Sequence, residues 1–164
     1  SKIFGELLML IESDKRGKDY AVHLQGTEEK FFIPENVYII GMMNTADRSI
    51  ALIDYALRRR FAFYLIEPAF ESESFRDYIE NKNSDKFGKV IEIITKLNDD
   101  IEADPLLGAG FKIGHSYFCT EDLIDVKLLH DIIQYEIKPL LAEYWIDDVD
   151  KVKQWTSKLL EAVQ

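Results

Sequence analysis

One cysteine, Cys119, stands in 164 residues. A single thiol excludes an internal disulfide and fits a reducing compartment. No apolar run approaches the roughly 20 residues that span a bilayer, and no secretory leader is present, so the cytoplasm is the expected location and no membrane partner is expected. The phosphate-loop pattern G-x-x-x-x-G-K-[ST] occurs nowhere. Nor does an apolar strand ending in Asp-Glu precede a helix. The backbone cradle for a nucleotide's phosphates and the usual magnesium carboxylate are thus both missing. The chain is also short of positive charge, with 20 basic against 30 acidic residues and a formal net charge of −10. Such a balance opposes bulk nucleic-acid binding, and the only basic cluster is Arg58-Arg59-Arg60. His23 has no second His, Cys or carboxylate at metal spacing and reads as a half-exposed side chain. There are no internal repeats and no low-complexity segments.

What is present is a chain of 47% hydrophobic residues and 12% aromatics, enough for one domain with a substantial core. The organising stretch is Gly41-Met42-Met43-Asn44-Thr45-Ala46-Asp47-Arg48-Ser49. The run before it, Val37-Tyr38-Ile39-Ile40, predicts a strand at about 37–42 buried on both faces. After it, residues 50–57 predict a short helix with one apolar face. The arginine cluster follows, and then Phe61 to Ile66 predict a second, parallel strand. In α/β proteins sites form where the chain leaves the carboxyl end of a strand. That exit carries Asn44, Asp47 and Arg48. A plainer reading makes the stretch a polar turn, with Asp47 or Ser49 capping the helix.

Residues 3–12 place Ile3, Leu7, Leu10 and Ile11 on one helical face. The chain enters this helix at Ser1 with no visible cap and therefore reads as a piece of a longer protein. Residues 20–33 alternate and turn like a β-hairpin, with strands at 20–24 and 31–33. Beyond Pro68 the period becomes helical and stays so. Phe87, Val90, Ile91, Ile94, Leu97 and Ile101 repeat at three and four residues, and Pro105 stops that helix. A further helix runs from Leu128 to Leu141, with Pro139 placed to kink it, and a last one is marked by Trp155, Leu159 and Leu160. The expected division is residues 1–68, an α/β part, and 69–164, an all-helical part. Between two of the helices, Gly108-Ala109-Gly110-Phe111-Lys112-Ile113-Gly114-His115-Ser116-Tyr117-Phe118 predicts a tight, shaped loop. It either packs the helices together or faces a nucleotide or neighbouring subunit, in which case Gly110 and His115 are the candidate contacts.

Met43-Asn44-Thr45-Ala46-Asp47-Arg48-Ser49 resembles the motif of the McrB family, the GTP-hydrolysing AAA+ subunits of modified-cytosine-dependent restriction systems. Residues 34–41 before it, 54–61 after it, 5–12 and 110–118 are also similar to that family, in the same order. The resemblance implies the carboxyl-terminal part of an AAA+ P-loop NTPase domain, with parallel strands and a β-hairpin insertion, followed by a helical lid. In that family the phosphate loop and magnesium carboxylate lie upstream of the point where this sequence begins. It also implies GTP, with ATP as the alternative, and Mg2+ in the parent protein. No cofactor is expected in this chain alone. The implied partners are further copies in a ring, an McrC-like nuclease subunit that performs cleavage, and DNA read by a separate domain. Hairpins at this point in AAA+ proteins often face the ring's pore.

Nucleotide hydrolysis in this class is mostly positioning and charge stabilisation. The amide of Asn44 is suited to orient the attacking water, and the carboxylate of Asp47, three residues on, to hold the amide or the water. The resemblance implies the same roles. Arg48 is suited to order the loop by an ion pair or to contact a neighbour. Cations are favoured at a helix carboxyl end, but three in a row exceed that need. In AAA+ rings an arginine at this position reaches the neighbour's γ-phosphate, and the sequence does not choose among Arg58, Arg59 and Arg60. Two other readings stand beside the motor: a non-catalytic adaptor that only presents the finger and lid, and an AAA+ ATPase of another pathway.

Overall fold

The structure, a computed structural model, describes residues 7–24, 26, 28–44, 58–82 and 84–164. Asp47, Arg48, the helix expected at 50–57 and the start of the first helix lie outside the described residues. The chain divides into two compact units, Ser1–Leu65 and Ile66–Gln164.

In the first unit, α1 (Leu7–Leu10) buries Leu8 and Leu10. Single 3-10 turns follow at Ser13–Lys15 and Lys18–Tyr20. Gly17 between them has φ +92°, a left-handed conformation that only glycine adopts without strain. Its N–H donates to the carbonyl of Ile33 at 2.9 Å. The hairpin consists of β1 (Val22–His23) and β2 (Lys30–Phe31), antiparallel, with Val22 opposite Phe31 and His23 opposite Lys30. Both strands are shorter than the alternation in the sequence predicts.

The parallel strands expected at 37–42 and 61–66 are not formed among the described residues. Residues 37–44 and 62–66 carry neither helix nor strand. Tyr38 is 90% exposed, Ile40 89% and Tyr64 90%, so the expectation of a strand buried on both faces is overturned here. The physical reason is that a central parallel strand obtains every hydrogen bond, and both covering layers, from other segments. The described residues supply none of these.

The second unit is helical and buries its own apolar faces. It contains α2 (Glu73–Lys82), α3 (Asp85–Ala103), α4 (Val126–Ile132), α5 (Lys138–Tyr144) and α6 (Val149–Ala162). Ser84 caps α3 by accepting from the Phe87 N–H, Asp125 caps α4 from Leu128, and Asp148 caps α6 from Lys151. Each satisfies one of the orphan donors at a helix start. One face of α3 is dry: Phe87, Val90, Ile94, Leu97 and Ile101 are fully buried. At about 1.5–3 kcal/mol for each large apolar side chain removed from water, this face is the main stabilising element of the unit. Pro105 ends α3, and Gly108, at φ +82°, returns its N–H to the Ile101 carbonyl at 3.2 Å. From α4 the chain passes into α5 through a wider π turn, Ile133–Ile137. Pro139 lacks the N–H that would bond the Tyr135 carbonyl, and its ring crowds that oxygen, so the wider turn gives it room. No helix among the described residues is long and apolar enough to cross a membrane.

Candidate functional site

In the first unit the segment Ile11–Arg16 is a junction. The guanidinium of Arg16 donates to the Val37 carbonyl and, at 3.0 Å, to the Ile11 carbonyl. Glu12 beside it pairs with Arg60 at 2.7 Å, the two side chains being 34% and 21% exposed. One short segment therefore ties the start of the Val37–Ile40 run to the arginine cluster. Asn44 lies exposed at the end of that run, and Arg58 and Arg59 are exposed, Arg59 in a turn. The three arginines are thus not equivalent, since Arg60 is the one turned onto Glu12. Sequence reasoning missed Glu12 and Arg16 because it placed them in a helix end and a polar turn. Their order along the chain carries no sign of contact with residues 37 and 60.

In the second unit the 108–118 loop is held from below. The buried amide of Asn98 accepts from the Ile113 N–H at 2.7 Å and donates to the Ile113 carbonyl at 3.0 Å. Lys112 pairs with Glu102 at 2.6 Å. That hydrogen bond first, with burial opposing and the Glu102 charge assisting, pushes the Lys112 ammonium above its usual range. Phe111 meets Tyr144 edge-on at 5.3 Å, and burial of Tyr144 pushes its hydroxyl up to about 12. His115 accepts from the Ala69 N–H through Nδ1 at 3.1 Å, which leaves Nε2 to carry the proton of the neutral ring. The ring lies edge-on to Phe70 and Phe75. Gly110, in the 3-10 turn Ala109–Phe111, is exposed. His115 is thus used to fasten the loop to the entry of the helical unit.

A further cluster joins the carboxyl end of α3 to the start of α6. The indole N–H of Trp145 donates to Asp104 at 2.8 Å and that of Trp155 to Asp100 at 3.0 Å. Lys151 bridges the two carboxylates at 3.0 and 3.6 Å and lies over the Trp145 ring. The Trp145 hydrogen bond, then that from the Leu106 N–H, holds the Asp104 carboxyl below its ordinary range. No group of three or more His, Cys, Asp or Glu among the described residues is placed to hold a metal ion.

The sequences of both units are matched in known proteins. Residues 1–61 match the AAA domain of the dynein-related subfamily, and residues 89–153 match the McrB alpha-helical lid domain. The class is therefore an AAA domain segment with its lid. The chain is 49% identical over 170 residues, 98% of its length, to the type IV methyl-directed restriction enzyme EcoKMcrB subunit of Escherichia coli (strain K12), and spans 37% of that relative. The chain belongs to the McrB family.

Proposed function

We propose that this chain is the part of an NTP-hydrolysing motor subunit that supplies a water-positioning loop, an arginine finger and a lid, in a modified-cytosine-dependent DNA restriction complex. The observation that carries this is likeness along 98% of the chain to a methyl-directed restriction subunit, together with the Asn44-Thr45-Ala46-Asp47-Arg48 block. GTP is the nucleotide on this reading, with ATP the alternative. The chain's residues do not by themselves fit a nucleotide and Mg2+. The sequence has no phosphate loop, and no metal-holding cluster occurs among the described residues. Those parts belong to the longer polypeptide. Within it Asn44 orients water, Asp47 holds the Asn44 amide, and Arg48 orders the loop.

The permanently charged, planar fork of an arginine suits a phosphate of a neighbouring copy. The Glu12 pair supports Arg60 as the local anchor and Arg58 or Arg59 as the finger. Gly110 and His115 then act at the lid hinge, His115 by holding the loop to residue 69. The assembly is a ring of copies with a nuclease partner, and DNA is read by a separate domain.

The test uses the longer protein. Asn44→Ala and Asp47→Ala should lower kcat on the order of 10²-fold while KM changes little, because water positioning matters chiefly in the transition state. Weakened nucleotide affinity with intact kcat would overturn the assignment. The 164-residue chain alone should show no binding of GTP or ATP by calorimetry with magnesium present, and micromolar binding would contradict the reading.

A further inference from the structure

The two units differ sharply in charge. Residues 1–65 hold nine acidic and nine basic side chains, whereas residues 66–164 hold twenty-one acidic and eleven basic. Four of those eleven, Lys86, Lys89, Lys96 and Lys158, line one open groove of about 630 Å³ between α3 and α6. Glu92 and Glu161 are the acidic side chains of the lining, so the groove is positive in an acidic unit. Ile93 and Trp155 form its apolar floor. Both ends are pinned. Lys86, at the start of α3, donates to the Val163 and Gln164 carbonyls past the end of α6 at 3.0 and 2.7 Å. Asp100, near the other end of α3, accepts from the Trp155 indole N–H at 3.0 Å and pairs with Lys151 at 3.0 Å. The two helices therefore run antiparallel, with the groove set between fixed ends. Lys158 lies over the Trp155 ring. Lys89 and Lys96 are exposed and form no ion pair among the described residues.

The lining follows a pattern. On α3 it runs Lys86, Lys89, Ile93, Lys96, at intervals of three, four and three, and on α6 Trp155, Lys158, Ala162, at three and four. This stripe is separate from the dry face of α3, and it has the spacing at which one helix receives another. We propose that the groove receives an acidic amphipathic helix of a partner polypeptide, with its apolar edge over Ile93 and Trp155 and its carboxylates against Lys89 and Lys96. Charge complementarity carries the choice. A helix can place carboxylates opposite the lysines and leave an apolar edge for the floor. A nucleic-acid backbone carries a negative charge at every step, so it would meet Glu92 and Glu161 directly and leave the apolar floor unused. The fixed ends of the groove lower the ordering cost of docking, and the acidic surroundings disfavour an acidic partner anywhere else on the unit. The proposal does not rest on the nucleotide chemistry of the first unit.

The test titrates a synthetic helix of about three heptads, with leucine at its a and d positions and glutamate beside them, into the 164-residue chain and follows backbone amide shifts by NMR. The chain carries −10 overall, so salt giving a Debye length of about 8 Å is used to screen the long-range repulsion. Shifts should cluster at Lys86 to Lys96 and at Trp155 to Ala162. Lys89→Glu with Lys96→Glu should weaken binding roughly tenfold or more. Both positions are exposed, so the thermal melt of that variant should match the wild type. Two control peptides need no substitution in the chain. Serine in place of leucine removes the apolar edge, lysine in place of glutamate removes the carboxylates, and each should bind at least about tenfold more weakly. No shift at about 1 mM peptide, or a serine or lysine control that binds as tightly, would overturn the proposal. So would a short DNA duplex that shifts the same amides at lower concentration than the acidic helix. Shifts at these amides on concentrating the chain alone would give the groove to a second copy and likewise overturn it.

Discussion

Ile94 and Ile40 are the same side chain in opposite circumstances. The first is fully buried and the second 89% exposed. Ile94 lies on a helix, whose backbone bonds are closed within the segment, so only a side-chain face has to be covered, and neighbouring helices of the same unit cover it. Ile40 lies on a run that reads as a central strand, whose backbone bonds and both faces must come from elsewhere. The lid is a unit this chain completes. The 37–44 and 62–66 runs carry neither helix nor strand, and apolar side chains such as Tyr38, Ile40, Tyr64 and Ile66 lie exposed on them.

Substitutions sharpen that contrast. Phe87→Ala empties a fully buried site on α3 and should cost about 3–5 kcal/mol, seen as the largest fall in the chain's Tm. Asn98→Leu should come next, at about 2–4 kcal/mol, because it strands the buried N–H and carbonyl of Ile113. It should also loosen the 108–118 loop selectively, measurable as faster amide exchange at Ile113.

A smaller effect should appear in acid. Asp104 is held below its ordinary value of 3.8 when folded. Its stabilisation is therefore fully present above that value and is lost as pH falls through the lower folded value. Asp104→Asn should flatten the loss of stability below about pH 4 relative to the wild type in acid titrations. Smallest of all, Ile40→Ser and Tyr64→Ser should change the stability of this chain by no more than about 0.5 kcal/mol. A loss of several kcal/mol at either position would break the comparison.

The same division governs what could be read from the sequence. The three-and-four spacing from Phe87 to Ile101 reported α3 because a helical face is local information. Pro105 marked its end, and Pro139 marked the place where the helix widens. The strands at 37–42 and 61–66 were expected from equally clear apolar runs, but periodicity reports a preference and not the presence of a partner. The pairing of Arg60 with Glu12 spans 48 positions and the anchoring of His115 by Ala69 spans 46. Neither separation leaves a mark in spacing or composition. The Asn44 block was legible as a polar exit from an apolar run, its resemblance to a family sharpened that reading, and its chemistry is a matter for the longer protein.

Amide hydrogen exchange, measured on this chain and on the longer polypeptide that contains it, tests the central claim most directly. In this chain the α3 amides from Val90 to Leu97 should be the most protected, and those of Tyr38 to Met42 and Phe63 to Ile66 should exchange at nearly the unprotected rate. In the longer polypeptide the second group should become protected as neighbouring strands pair with it. Protection of Tyr38 to Met42 already present in this chain, or its absence in the longer one, would contradict the account.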